Sequence, residues 1–243
     1  MTDRAGDSRP FPQPQAVIFD MDGLLFNTED LYRDAVMAAA AASGIELPLS
    51  VYLSLLGLSG EAARDALRER FGPGFAFDAF WAAARRNFEE TLDDALRLKP
   101  GAVELLDALD AAGLPAAIAT SSLRASVDHH LAAFGLDQRF AAIVAKGDTP
   151  RGKPHPDPFL SAAARLGIEP ARCLVLEDSH NGVRGAARAG MLPVMVPDLL
   201  AATAEMEALC VAIVPDLHRV RALLWPDAPA GRPQDATNKP DRS

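Results

Sequence analysis

The chain has little cysteine, little lysine and no long apolar run. Its only cysteines, Cys173 and Cys210, have nothing near them with metal-ligand spacing, so both are read as reduced core residues rather than a framework or a metal site. No stretch of about 18 apolar residues occurs, which excludes a membrane-spanning helix of ordinary length. The opening MTDRAGDSRPFPQPQ also lacks the apolar segment of roughly 7–15 residues that a secretory signal carries, so a cytoplasmic protein is expected. Positive charge is in deficit: the net charge is -9 and the pI near 5.0. Nucleic acid and anionic membrane would both reject that average field, so neither is an expected partner.

At 243 residues, 49% hydrophobic and 23% charged, the chain suits one large globular domain or two smaller ones. Residues 1–14 and 226–243 are rich in proline and polar residues without periodicity and are expected to be disordered tails.

The informative stretch is AVIFDMDGLLFNTE, residues 16–29. Residues 16–19 are apolar without alternation, as a strand buried on both faces must be, and turn chemistry follows at Gly23. Asp20 therefore sits at the carboxyl end of a strand. Side chains repeat every two residues in extended chain, so Asp20 and Asp22 project together while Met21 points back. Two such charges about 4 Å apart repel by roughly 4 kcal/mol at an effective dielectric of about 20, and a cation or a shared proton must offset that. Taken alone, the pair reads equally well as a turn with solvated aspartates.

Helical signals fill the next segment. They cover residues 29–42 up to Ser43-Gly44, residues 61–71 behind Ser59 as cap, and a longer run from Asp78. In that run Phe80, Trp81, Ala84, Phe88, Leu92 and Leu96 mark a buried face, and Glu89, Glu90, Asp93 and Asp94 a solvated one. From Lys99-Pro100-Gly101 the pattern changes to short apolar runs alternating with helices, the signature of βα units around a parallel sheet. Strands are expected at 115–119, 141–145 and 173–176, with 193–196 and 211–214 as edge strands. Helices are expected at 102–112, 123–134, 157–166, 182–190 and 217–224. The fold class expected is α/β: a doubly wound, Rossmann-like parallel sheet formed by residues 15–27 and 98–225, with an inserted all-helical segment at residues 28–97.

Ligands of such sheets bind outside the carboxyl ends of the strands. Those ends supply Asp20 and Asp22, the hydroxyls of Thr120 to Ser122, Lys153, and the adjacent Glu177 and Asp178. Four carboxylates around one lysine need a hard cation, and an all-oxygen ligand set points to Mg²⁺. The lysine and hydroxyls suit a phosphate. Lys153 stands out further because the chain has four lysines among its 24 basic residues.

FDMDGLLFNTE, IATSS, GKPHPDPFL and VLEDSHNGVRGAARAGM together resemble the four motifs, in order, of the haloacid dehalogenase superfamily of hydrolases. Within it the chain is similar to the branch of β-phosphoglucomutases, sugar-phosphate phosphatases and nucleotide monophosphatases, which carry a helical cap between the first two motifs. The resemblance implies a Mg²⁺-dependent phosphatase acting as a monomer on a small phosphorylated metabolite, a sugar phosphate or nucleotide-like ester. It makes Asp20 the nucleophile that forms an aspartyl-phosphate, and Asp22 the acid that protonates the leaving group and then deprotonates water. It gives Thr120, Ser121 and Lys153 to the phosphoryl oxygens, and Asp20, Asp22 through its carbonyl, Glu177 and Asp178 to the metal. Asn27 departs from the aspartate many relatives have there and is expected to be a turn variant.

Two alternatives stand beside the phosphatase. A non-catalytic phospho-acceptor domain also ends a first strand in acids, but it needs no lid and is much shorter. A phosphomutase needs a fixed cation in the cap for a second phosphate, and in β-phosphoglucomutases an arginine directly follows a Gly-x-Ser of the cap loop. Here Gly57-Leu58-Ser59 is followed by Gly60, and Tyr32 stands where those mutases have histidine, which leaves Arg64 as the one candidate clamp. A true dehalogenase lacks the acid present here as Asp22. Substrate selection is expected from residues 56–60 and Tyr32. The pair His129-His130 and His218 read as solvated, and His155 and His180 fall at positions the family leaves variable.

Overall fold

The computed structural model describes residues 11–58 and 60–226. The cap expected of Ser59 and most of both tails lie outside the described residues. The chain begins with β1 (Ala16–Phe19), then runs through four helices, α1 (Thr28–Ala42), α2 (Leu49–Leu55), α3 (Gly60–Phe71) and α4 (Phe77–Ala95). Alternation follows: α5 (Ala102–Ala111), β2 (Ala116–Ala119), α6 (Arg124–Ala133), β3 (Ala142–Val144), α7 (Asp157–Leu166) and β4 (Cys173–Glu177). The last elements are α8 (His180–Arg188), β5 (Leu192–Met195), α9 (Ala204–Leu209), β6 (Ala212–Ile213) and α10 (Leu217–Leu224).

All pairings are parallel, and the six strands lie in the order β3-β2-β1-β4-β5-β6. The chain winds outward from β1 to β3, then returns to β4 on the other side of β1, so the winding reverses between β1 and β4. A crevice opens at such a reversal. Both sheet faces are covered, which is why the strands are apolar throughout. Val17 and Phe19 pack with Leu105, Leu109, Val127, Leu131 and Val220 on one face. Ala16 and Ile18 pack with Phe159, Ala162 and Ala186 on the other.

The helices between β1 and α5 carry cores of their own. Val36, Ala39 and Ala40 of α1 meet Tyr52, Phe80 and Ala84, where alanines let the two long helices approach closely. Leu55, Ala63, Leu67 and Phe77 form a second cluster. Burying each large side chain there contributes roughly 1.5–3 kcal/mol.

Three expectations about elements change. Helix α2 was not anticipated, because seven residues behind Pro48 show too short a period to read. Helix α9, six residues capped by the Thr203 hydroxyl, escaped for the same reason. And β5, expected at an edge, is not an edge strand: β6 pairs outside it from Val194 onward, beyond the missing N–H of Pro193, whose carbonyl accepts from Val211 N–H at 2.8 Å. Cys173 is buried and Cys210 half-buried, both as free thiols. Among the described residues no helix is long and apolar enough to cross a membrane.

Candidate active site

The site assembles at the reversal point. Register aligns Phe19 with Leu176, and Asp20 N–H donates to the Leu176 carbonyl at 2.9 Å, so the next residues of the two strands, Asp20 and Glu177, emerge side by side. After Asp20 the chain folds into a tight loop closed by Gly23 N–H to the Phe26 carbonyl at 2.9 Å. Gly23 has φ 78°, and a Cβ there would overlap Asp178 Oδ2 and stand 3.0 Å from Glu29 Cγ. Only glycine lets the first-strand loop pass this close to the carboxylates.

The end of β2 delivers hydroxyls. Ser122 Oγ donates to Asp22 Oδ2 at 2.6 Å, and Thr120 Oγ1 donates to the same oxygen at 3.4 Å while accepting from Ser122 N–H at 3.0 Å. Ser121 lines the cleft and is exposed. Lys153, half-buried as a residue but with a side chain only 6% exposed, reaches across with its Nζ 2.6 Å from Asp20 Oδ1 and against Glu177 Oε1. The other oxygen of Glu177 accepts from Ser179 N–H and Oγ at 3.2 and 2.9 Å. Gly182 makes room for this: a Cβ there would overlap the Glu177 carboxyl group.

Burial dominates the electrostatics. It raises the Asp20 carboxyl, opposed by Lys153 and reinforced by Asp22. It lifts Glu177 to about 7 despite Lys153, and Asp178 well above its ordinary value with Asp20 and Glu177 adding repulsion. Burial alone would depress the Lys153 ammonium, but Asp20 and Glu177 hold it above the ordinary lysine range. Oxygens of Asp20, Glu177 and Asp178 all lie within 4.8 Å of one another, every one of the three residues buried. A compact set of buried carboxylates that repel one another fits a hard divalent cation, which would relieve that repulsion. Asp22 stands outside this side-chain set.

The helices α1–α4 stand over the sheet end. A cleft of about 570 Å³ lies between them and the carboxylates, with Thr28, Tyr32 and Leu58 on one side and Thr120, Lys153 and Asp178 on the other. The loop after α2 touches the core where Asn181 Nδ2 donates to the Gly57 carbonyl at 3.5 Å. The two chain crossings run together: Asn27 N–H donates to the Arg97 carbonyl at 3.1 Å, and the Asn27 side chain accepts from Arg97 N–H at 2.7 Å and donates to the Ala95 carbonyl at 3.3 Å. Asn27 is thus a structural turn residue with a specific task. Arg64, the candidate clamp, is held away by Asp78 through bonds of 3.0 and 2.6 Å and lies over the Phe77 ring.

One histidine reading is corrected. His130 is not solvated: it is 3% exposed, packs edge-on against Phe26 and lines the cleft. Its neighbour His129 is exposed and bonds Asp93 at 2.7 Å, and His218 is exposed. His180 lines the cleft with Nε2 2.9 Å from the Ala201 carbonyl, while His155 is exposed.

Glu29 was also missed: burial, followed by Asp22 and Asp20, lifts its carboxyl to about 7 at the cleft wall. Its place in the first turn of α1 was readable, but the direction of that turn was not. Ser122 was read as one of three hydroxyls, without the bond that singles it out.

Comparison with known proteins agrees with this architecture. Residues 14–190 match the model of a family described as haloacid dehalogenase-like hydrolase. The chain is 37% identical over 193 residues to the protein CbbY of Rhodobacter capsulatus, covering 75% of this chain and 85% of that one. It is 29% identical over 202 residues to the phosphorylated carbohydrates phosphatase of Thermotoga maritima, covering 82% and 94%. A crystal structure of a HAD family hydrolase from Deinococcus radiodurans, with bound phosphate and sodium, superimposes with a TM-score of 0.74 at 30% identity, covering 88% and 96%. The chain belongs to the haloacid dehalogenase-like hydrolase family.

Proposed function

We propose that this hydrolase is a cytoplasmic, Mg²⁺-dependent phosphatase of small phosphomonoesters, working as a monomer through an aspartyl-phosphate on Asp20. The observation that carries it is the meeting of Asp20, Asp22, Lys153, Glu177 and Asp178 at one sheet reversal, in a chain related to a phosphatase of phosphorylated carbohydrates and to a structure with bound phosphate. Asp20, Glu177, Asp178 and the Asp22 carbonyl would hold the Mg²⁺, which when bound offsets the negative charge of carboxylates and phosphoryl oxygens.

An Asp20 oxygen bonds to phosphorus as the ester P–O bond breaks. Asp22, held by Ser122 and Thr120, gives its proton to the departing alkoxide oxygen. Asp22 then takes a proton from water, whose oxygen bonds to phosphorus and releases phosphate and the Asp20 carboxylate. Thr120, the Ser121 backbone and Lys153 steady the phosphoryl oxygens, and Lys153 favours the ionised form of Asp20 against the burial that raises it. Residues 28–97 form the cap that excludes water during the transfer.

The test is phosphate release from para-nitrophenyl phosphate with Mg²⁺, with excess chelator, and by Asp20→Asn at matched folding. Both perturbations should reduce turnover by about a thousandfold or more, as expected when a nucleophile or its charge partner is removed. Asp20→Asn turning over like the wild type would remove the nucleophile assignment.

A further inference from the structure

A second cavity lies apart from the carboxylates. It sits among the inserted helices, has a volume of about 700 Å³ open to solvent on one side, and is lined by Tyr32, Tyr52, Leu55, Leu58, Phe77 and Trp81. That volume falls within the range of ligand pockets. The cavity adjoins the catalytic cleft, with Tyr32, Leu56, Gly57 and Leu58 lining both. Tyr52 is 1% exposed and contributes ring surface to the wall. Arg85 and Arg86, both exposed, also line the cavity and make no ion pair with a described residue.

We propose that this cavity receives the organic body of the substrate, and that the preferred phosphomonoesters carry an apolar ring system on the esterified alcohol rather than a bare polyol. The inference rests on the phosphatase reading above and narrows it. A ring buries apolar area against Leu55, Leu58, Phe77 and Trp81 and stacks there, whereas a polyol would lose its water against those side chains with only Arg85, Arg86 and an Asp78 already paired with Arg64 to replace it. A phosphoryl group at Asp20 fixes one end of the substrate in the cleft, and the other end passes Tyr32 and Gly57 into the cavity.

The experiment compares 2-(2-naphthyl)ethyl phosphate, whose alkyl alcohol leaves much as a sugar's does, with glycerol 1-phosphate and glucose 6-phosphate. At saturating Mg²⁺, kcat/KM for the naphthyl ester should exceed either polyol ester at least tenfold, mainly through KM. Ala82→Trp, which fills the cavity from an exposed wall position, should lower that ratio at least fivefold. Phosphate release with equal or reversed preference overturns the inference and leaves the phosphatase standing. Release from none of the esters, para-nitrophenyl phosphate included, counts against the phosphatase reading instead. Calorimetry then decides the cavity by itself: 2-(2-naphthyl)ethylphosphonate should bind at least tenfold more tightly than inorganic phosphate, and Ala82→Trp should erase the difference. Equal affinities in the wild type overturn the proposal.

Discussion

Replacing Gly182 by alanine should destabilise the protein, although the position is helical and the general rule runs the other way. Within a helix, glycine to alanine gains up to about 1 kcal/mol. At Gly182 the added Cβ would occupy the space of the Glu177 carboxyl group, and that group cannot step aside freely. One oxygen is bonded to Lys153 and the other to Ser179 N–H and Oγ, and the residue is 0% exposed. Overpacking costs about 1–3 kcal/mol, and leaving buried polar partners unmatched adds about 1–3 kcal/mol.

Set against the propensity gain, the net loss is about 1–5 kcal/mol, which for a domain of this size lowers Tm by roughly 2–20 °C. Urea unfolding with and without Mg²⁺ measures it, alongside Mg²⁺ titration of turnover, which should shift to higher concentration as Glu177 moves. Gly60→Ala, in a helix start with nothing within 4 Å of the new Cβ, is the control and should be neutral or stabilising. A Gly182→Ala protein as stable as that control, with an unchanged Mg²⁺ requirement, would refute the reasoning.

Asn27→Ala removes the side-chain bonds to Arg97 N–H and the Ala95 carbonyl that tie the two crossings together, so it should cost about 1–3 kcal/mol in urea unfolding and raise KM more than it lowers kcat. Asn27→Asp, which keeps the acceptor, should recover more than half of the loss. Amide exchange in residues 56–58 should slow when Mg²⁺ and a phosphate analogue such as vanadate are added, because the loop seats on Asn181; identical exchange would argue against closure. With β-glucose 1-phosphate and a bisphosphate primer, any turnover should give free phosphate rather than glucose 6-phosphate, since Arg64 is engaged by Asp78; predominant isomerisation would reverse the hydrolase assignment.

The amino-acid sequence by itself determined the strands and where they end. Strands buried on both faces must be apolar throughout, so residues 16–19 and 173–176 could be read locally, and the acids that follow them had to lie at the carboxyl ends. Parallel βα alternation then limited the sheet to a doubly wound form, and the acids to one crevice. Only the tertiary structure decided which neighbour covers each element. Strand β5 looks like an edge until β6 pairs outside it, His130 looks solvated until α6 lays it against Phe26, and Ser122 differs from Ser121 only through a bond to Asp22, 100 residues away. Glu29 and the cavity beside Trp81 share that origin. Side-chain direction along one element follows a short period that sequence carries, whereas burial and charge depend on contacts made across the chain, which no local period encodes.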